Sequence, residues 1–365
     1  MKNEVKTALP PLPGRLGSPE MVLRDDPRVH PGVVTALAPF GLDGQAEPAA
    51  VTVASPREAK LEYCLAAEEG FEAMFAAMFA EVPAPEGVEI STETITGVDD
   101  NPIELHIHRP RPGHHPAGAA GPLPGVLHLH GGGMTMLSAA GPAYVRWREH
   151  LAATGLVVVG VEFRNAAGVL GPHPFPAGLD DCTSALRWMN DNKARLGVSR
   201  IIVSGESGGG NLSLATALKA RQDGHLDQID GVYALCPYIS NDYAERAAGL
   251  PSLYENDGYF LDCAMMSVLA MLYDGAGSTN PLAWPFHARL SDLEGLPPHV
   301  ISVNELDPLR DEGLTYFRKL VAAGVNAVGR TVSGTTHGGD FMFLAALPAI
   351  CAATLRDIHG FAASL

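Results

Sequence analysis

The sequence has few cysteines, and their arrangement builds no covalent or metal-bound framework. Its 365 residues include five cysteines, scattered singly and without a CxxC pair. An odd, dispersed set argues against a disulfide framework and offers no zinc-ligand spacing. The N-terminus also lacks the apolar core of a signal peptide. These absences predict a protein of a reducing compartment, namely the cytoplasm.

Positive charge and long apolar runs are also scarce. Lys and Arg total 25 against 41 Asp and Glu, a formal net charge of −16, and such a surface repels the phosphate backbone of nucleic acids. No stretch approaches the roughly 18 uninterrupted apolar residues of a membrane span. The hydrophobic fraction of 46% is nevertheless ample for a large core. The expected partner is a neutral small molecule, and a homo-oligomer is left open.

Short apolar runs alternate with helical patterns from residue 88 onward. Two alternating segments, residues 88–97 and 103–110, flank a DDNP turn and predict a hairpin. Amphipathic helix patterns separate five further apolar runs, which are residues 125–130, 156–163, 200–205, 231–236 and 299–304. Buried parallel strands have this composition, so the sequence predicts an α/β fold with a mostly parallel central sheet flanked by helices.

Two regions lie outside this alternation, residues 1–85 and residues 239–290, and they are expected to form a mainly helical cap. Residues 1–50 are aperiodic and rich in turn formers, which predicts an irregular arm, whereas residues 56–81 place Met and Phe at helical spacing. That stripe is interpreted as packing against the core, with lining of an apolar pocket as the alternative. The predicted organisation is an N-terminal arm with cap helices (1–85), an α/β core in two parts (86–238 and 291–365) and a cap insertion (239–290).

The segment Gly205-Glu206-Ser207-Gly208-Gly209 carries the first chemical signal. It follows a predicted strand and precedes a helix-forming run, the setting that a G-x-S-x-G nucleophile turn requires. Ser207 is therefore predicted to lie on a strained turn, with the N-terminus of the next helix directed at it. An ordinary glycine-rich turn is the alternative. Glu206 is interpreted as a partner that stabilises the turn rather than as a second acid.

Three successive glycines, residues 131–133, follow His130 at the end of an earlier predicted strand. Bare backbone N–H groups at the carboxyl end of a strand suit an oxyanion hole, which needs donors arranged before charge develops. A flexible loop or a phosphate-binding loop is the alternative, although no Gly-Lys-Ser/Thr follows. The two glycine-rich turns together favour acyl transfer.

A serine nucleophile needs a base and an acid that orients the base, and in this topology both follow the serine in the chain. Among the later histidines, His337 is the best candidate because it follows a short strand on a glycine-rich loop that can reach Ser207. Asp307 lies just after the run 299–304 and is stiffened by Pro308. Glu305, Asp311 and Asp340 are the other candidate acids. Asp311 precedes a helix and is more simply its N-cap or a residue of its first turn. The predicted triad is Ser207, His337 and Asp307.

A histidine-rich metal site is the rival interpretation. Four histidines, at 106, 108, 114 and 115, cluster in the sequence, and His128 and His130 alternate along one predicted strand, which would place both rings on one face. No carboxylate-bearing metal motif accompanies them. The chemistry is therefore predicted to need no metal and no cofactor.

These motifs together resemble the bacterial branch of the hormone-sensitive-lipase family of α/β-hydrolase esterases. The matching stretches are HGGG (130–133), HPFPAGLDDC (173–182), GESGGGNL (205–212), DPLRDEG (307–313) and THGGD (336–340). The resemblance implies a serine carboxylic ester hydrolase that forms an acyl-enzyme, with the family triad on Ser207, Asp307 and His337. It also implies oxyanion donors from the backbone of three residues, Gly132, Gly133 and Gly208.

Departures from the family pattern leave the substrate open. Many members have YRLAPE where this chain has FRNAAG (163–168), Ala at the position of Gly208 and Phe at that of Gly339. The expected substrate is a small to medium ester or a macrocyclic lactone. Core packing is an equal alternative for three of the four predicted substrate-binding residues, Met134, Tyr238 and Trp284; the fourth is Glu206.

Two other functions are known on the same fold and are kept as alternatives. The family includes receptors that lost the catalytic histidine and a dehydratase, so a non-catalytic, receptor-like binding protein or a lyase is the rival function. The presence of His337 favours the hydrolase.

Overall fold

The computed structural model describes residues 12–114, 121–275 and 277–365. Within these ranges eight strands form one sheet in the order β1-β2-β4-β3-β5-β6-β7-β8. They are β1 (Val88–Thr96), β2 (Pro102–Pro110), β3 (Leu123–Leu129), β4 (Val157–Val161), β5 (Val198–Glu206), β6 (Gly231–Leu235), β7 (His299–Asn304) and β8 (Ala327–Val332). The β1–β2 and β2–β4 pairs are antiparallel and the others are parallel. The predicted α/β fold with a mostly parallel sheet is confirmed.

Thirteen helices lie in the described part of the chain. They are α1 (Gly14–Gly17), α2 (Pro31–Leu37), α3 (Arg57–Phe79), α4 (Pro142–Ala153), α5 (Ala177–Asp191), α6 (Lys193–Leu196), α7 (Gly208–Asp223), α8 (Ser252–Glu255), α9 (Cys263–Asp274), α10 (Leu290–Leu293), α11 (Arg310–Ala322), α12 (Gly339–Met342) and α13 (Pro348–Ser364). Helix α7 packs on β5 and β6, α4 on β2 and β4, and α11 on β7 and β8. None of the helices described here has the length and apolar character needed to cross a membrane.

The N-terminal arm is more ordered than its aperiodic sequence indicates. It contains α1 and α2, and the side chains of Leu23, Val33 and Leu37 are completely buried in the core. The backbone N–H of His30 donates to the carbonyl of Gly334 at 2.9 Å, which ties the arm to the loop after β8. Helix α2 spans only two turns, too few for a helical period to be recognised in the sequence.

A buried ion network links the arm, the insertion and the loop after β7. Arg28 pairs with Asp26 at 2.7 Å and also with Glu255. The two carboxylate oxygens of Glu255 accept hydrogen bonds from the Arg310 guanidinium at 2.8 and 2.9 Å. The neighbouring Asn256 donates to the backbone carbonyl of residue 307 at 3.1 Å. The arm therefore supports the segment that carries the predicted acid.

Replacement of Arg28 is expected to destabilise the protein strongly. Arg28→Ala leaves the buried carboxylates of Asp26 and Glu255 short of a partner, and breaking a buried pair lowers the free energy of unfolding by about 3–5 kcal/mol. Arg24→Ala is the matched control, since the Arg24 side chain is 51% exposed where it pairs with Asp43 and an exposed pair contributes at most about 1 kcal/mol. Urea unfolding of both variants checks this, and equal losses would contradict it.

Candidate active site

Ser207 lies between the carboxyl end of β5 and the start of α7. Its φ of 58° and ψ of −115° are unusual for a residue with a side chain, and such a conformation persists only where the surroundings fix it. The N–H of Ser207 donates to the Leu235 carbonyl at 3.0 Å, and its own carbonyl accepts from the Tyr238 N–H at 3.1 Å. A Cβ on Gly209 would lie 1.8 Å from the Leu129 oxygen, so the turn accepts only glycine there.

The glycine loop 131–133 packs directly against this turn. A Cβ built on Gly208 would lie 2.7 Å from the backbone nitrogen of Gly133 and 2.6 Å from that of Met134. Gly132 and Gly133 have φ values of 102° and 62°, which L-residues rarely adopt. Backbone N–H groups from the two segments therefore lie together beside Ser207, as an oxyanion hole requires.

His337 and Asp307 form a buried pair at the same edge of the sheet. The Nδ1 atom of His337 lies 2.8 Å from Asp307 Oδ2, and Asp307 Oδ1 accepts from the Leu309 N–H at 2.9 Å. Burial lowers the pKa of His337, but the contacts with the Asp307 carboxylate and with Cys236 together raise that pKa well above its ordinary value. Because a carboxylate only accepts, Nδ1 carries the proton in the neutral ring, and Nε2 of that neutral ring can accept one.

The other candidate acids are engaged elsewhere. Asp311 lies in the first turn of α11, and its Oδ2 accepts from the Ser252 N–H at 2.7 Å. Asp340 accepts from the Asn304 amide at 3.0 Å and from the Thr354 hydroxyl at 2.9 Å. The carboxylates of Asp311 and Asp340 therefore bind groups other than the His337 ring.

A cavity of about 70 Å³ is lined by Ser207, His337 and the glycine loop. The rest of its wall is mostly apolar; α3 provides Phe71 and Phe75, and the 239–290 region provides Phe260, Leu261, Met265, Met266 and Leu269. Other members of the α3 stripe, such as Met74 and Phe79, are buried in the core. The stripe thus has both of the roles that its sequence left open.

The predicted pocket residues lie in different places. Tyr238 and Glu206 line the cavity, whereas Met134 and Trp284 are not among its described lining residues. Trp284 is completely buried and packs edge-on against Tyr238, with ring centroids 5.4 Å apart. Both carboxylate oxygens of Glu206 lie 3.1 Å from His128 Nε2. That buried contact joins β3 to β5 beside Ser207.

Two histidines of the rival metal site share one carboxylate, since the Nε2 atoms of His106 and His130 each lie 3.8 Å from Glu162. Burial lowers the pKa of His108 to about 3 and that of His130 to about 4, so both rings are neutral. His115 lies outside the described residues. The prediction that no metal takes part stays a prediction.

Cys236 was not expected at the site from its sequence. Cys236 directly follows β6, has a φ of 35° and lines the cavity. Its sulfur lies within 4.8 Å of a carboxylate oxygen of Asp307 and of a ring nitrogen of His337. Burial raises the pKa of its thiol, which favours the protonated and less nucleophilic form. Cys236 follows a buried parallel strand, as Ser207 and Asp307 do. That position in the sequence could have placed it at the site.

Known proteins share this architecture and sequence. The family pattern of the alpha/beta hydrolase fold matches residues 126–341. Brefeldin A esterase, a bacterial homologue of human hormone-sensitive lipase, is 46% identical with a TM-score of 0.91, over 97% of this chain and 99% of its own. Esterase Est22 is 36% identical with a TM-score of 0.80, over 93% and 98%. Carboxylesterase NlhH of Mycobacterium tuberculosis is 36% identical over 244 residues, which are 65% of this chain and 72% of NlhH.

Proposed function

We propose, from the premise that this chain belongs to the alpha/beta hydrolase family and is a carboxylesterase, that it cleaves esters through Ser207, His337 and Asp307. The predicted resemblance to the hormone-sensitive-lipase branch is confirmed by the 46% identity with brefeldin A esterase. The resemblance to that protein within residues 161–166, 254–260 and 303–313 stays a prediction. One observation carries the proposal: the strained Ser207 turn, the glycine loop and the His337–Asp307 pair meet at one apolar cavity.

The reaction begins with proton transfer from the Ser207 hydroxyl to Nε2 of His337 as Oγ attacks the ester carbonyl carbon. The carbonyl electrons move to oxygen, and the oxyanion accepts hydrogen bonds from the backbone of Gly132, Gly133 and Gly208. Asp307 holds Nδ1–H and stabilises the imidazolium. His337 then gives its proton to the leaving alcohol. Water hydrolyses the acyl-enzyme with His337 again acting as the base.

The cavity wall supports a neutral ester with apolar groups. The carboxylate of Glu206 is bound to His128, and the other described lining residues outside the triad carry no charge. Met265 and Met266 are flexible and can move to admit a substrate larger than the cavity. We propose a small to medium ester or a macrocyclic lactone. Helices α3 and α9, which pack together, are proposed as parts of the cap.

The two alternative functions make less use of this geometry. A receptor-like binder needs no acid that orients a histidine, and a lyase needs no serine nucleophile on a strained turn. Both features are present around Ser207, so they favour the hydrolase.

Inhibition should separate the serine mechanism from metal chemistry. We expect hydrolysis of p-nitrophenyl acetate that a serine-directed organophosphate abolishes, because it modifies Ser207, and that EDTA leaves unchanged. Mass spectrometry of the inhibited protein should find the adduct on the peptide containing Ser207. Loss of activity to EDTA with recovery on added zinc would assign the chemistry to the His106 and His108 group. Binding of the ester without turnover would favour the receptor.

A further inference from the structure

Side-chain hydrogen bonds hold both the backbone N–H and the backbone carbonyl of Leu137. It ends the segment 131–137, here called the oxyanion loop, and its φ of 73° is unfavourable for a leucine. Its N–H donates to Glu68 Oε1 at 2.6 Å, and its carbonyl accepts from the Asn165 side-chain amide at 2.7 Å. Glu68 is 2% exposed and Asn165 is completely buried. A strained residue persists only where such contacts determine it.

The carboxylate of Glu68 joins three segments of the chain. It projects from α3, and its second oxygen, Oε2, accepts from the Val169 N–H at 2.7 Å. A Cβ on Gly168, which has a φ of 62°, would lie 2.5 Å from that oxygen. Many family members have the Glu of YRLAPE at the position of Gly168. In this chain that position has no side chain, and a carboxylate reaches the same place from α3.

Residues 165–167 run along the oxyanion loop. The N–H of Ala166 donates to the Met134 carbonyl at 2.9 Å, and that of Ala167 to the Thr135 carbonyl at 3.0 Å. Met134 itself has a φ of 58°, and its nitrogen lies against Gly208 at the nucleophile turn. A displacement of Leu137 would therefore move the backbone that carries the oxyanion donors.

We propose that Glu68 and Asn165 are positioning residues that hold the oxyanion donors in place. Phe71 and Phe75 follow Glu68 at i+3 and i+7, on the same face of α3, and both line the cavity. Glu68 thus connects the wall that contacts the substrate with the backbone that stabilises the transition state. This proposal rests on the proposed function, since it assigns the oxyanion hole to that site.

The test is Glu68→Gln, which keeps the size of the side chain but places an NH₂ group against a backbone N–H. We expect kcat to fall by about 10- to 100-fold, with a much smaller change in KM, because misplaced donors weaken transition-state binding. The discriminating probe is a trifluoromethyl ketone. Ser207 Oγ adds to its carbonyl carbon, the serine proton passes to His337, and the carbonyl oxygen becomes an anion in the hole.

The inhibition constant of the trifluoromethyl ketone should weaken by about the same factor as kcat/KM. That of the matching methyl ketone, which binds without forming an oxyanion, should not change. Glu69→Gln is the control, because it removes the same charge from the next, exposed position of α3 and should behave like the wild type. Asn165→Leu, which introduces the family residue, should repeat the selective loss.

Thermal unfolding identifies which variants are folded, and Asn165→Leu carries the test if Glu68→Gln does not fold. A folded variant that binds both ketones as the wild type does overturns the proposal. Equal weakening of both ketones also overturns it, because that indicates a general structural role. Failure of the wild type to hydrolyse esters or bind the trifluoromethyl ketone would overturn the proposed function instead.

Discussion

Ser207→Ala should lower kcat/KM for p-nitrophenyl acetate by about 10⁴-fold or more while the protein remains folded. The substitution removes the attacking oxygen. The turn itself is held by backbone hydrogen bonds with Leu235 and Tyr238, which alanine keeps. Initial rates and the thermal unfolding midpoint, measured on the same preparation, check both parts of this expectation.

Ser213→Ala is the matched control for that experiment. Ser213 lies in the same helix, α7, and its hydroxyl donates to the Gly209 carbonyl at 2.7 Å. Its loss should lower the free energy of unfolding by about 1 kcal/mol and leave the rate at the wild-type level. A Ser207→Ala protein that retains a tenth of the wild-type rate would contradict the assignment of the nucleophile.

The sheet was predictable because its strands are marked locally. Residues 299–304 form β7 with the predicted bounds, and the hairpin pairs Thr96 with Pro102 around its turn. The helical spacing within residues 56–81 corresponds to the single helix α3. In each case the side chains needed for the assignment lie within one short window of sequence.

Contacts between distant parts of the chain could not be predicted in that way. Arg28 and Glu255 are 227 positions apart, and Glu68 and Leu137 are 69 apart. The local sign of a distant partner is that Glu68, a charged residue, lies on the same face of α3 as Phe71 and Phe75. The burial of Leu23 and Val33 in the arm likewise follows from tertiary contacts rather than from any period in the sequence.

The triad was inferred from topology, since carboxyl ends of parallel strands meet at one edge of a sheet. Ser207 and Asp307 follow β5 and β7 in this way, and Cys236 follows β6. The same rule applied to every strand would have included Cys236. The placement of a side chain is harder to infer: Met134, predicted to bind substrate, has a positive φ and is not among the described residues that line the cavity.

Asp307→Asn should lower kcat by about 10⁴-fold, whereas Asp311→Asn should leave kcat near the wild-type value. In the first variant the remaining oxygen stays with the Leu309 N–H, so the NH₂ group faces Nδ1 of His337. His337 must then carry its proton on Nε2 and cannot accept the proton of Ser207. Asp311 instead binds Ser252, and its change should lower the free energy of unfolding by about 1 kcal/mol.

The pH dependence gives the Asp307 prediction a second, independent readout. Activity requires neutral His337 and therefore falls as the pH drops through the pKa of that histidine. The Asp307 carboxylate raises this pKa, so its removal in Asp307→Asn should move the acid limb of kcat/KM to lower pH. The residual activity of the variant would then persist at a pH where His337 of the wild type is already protonated. An unmoved acid limb, or a folded Asp311→Asn protein with an equal loss of activity, would mean that Asp307 is not the acid.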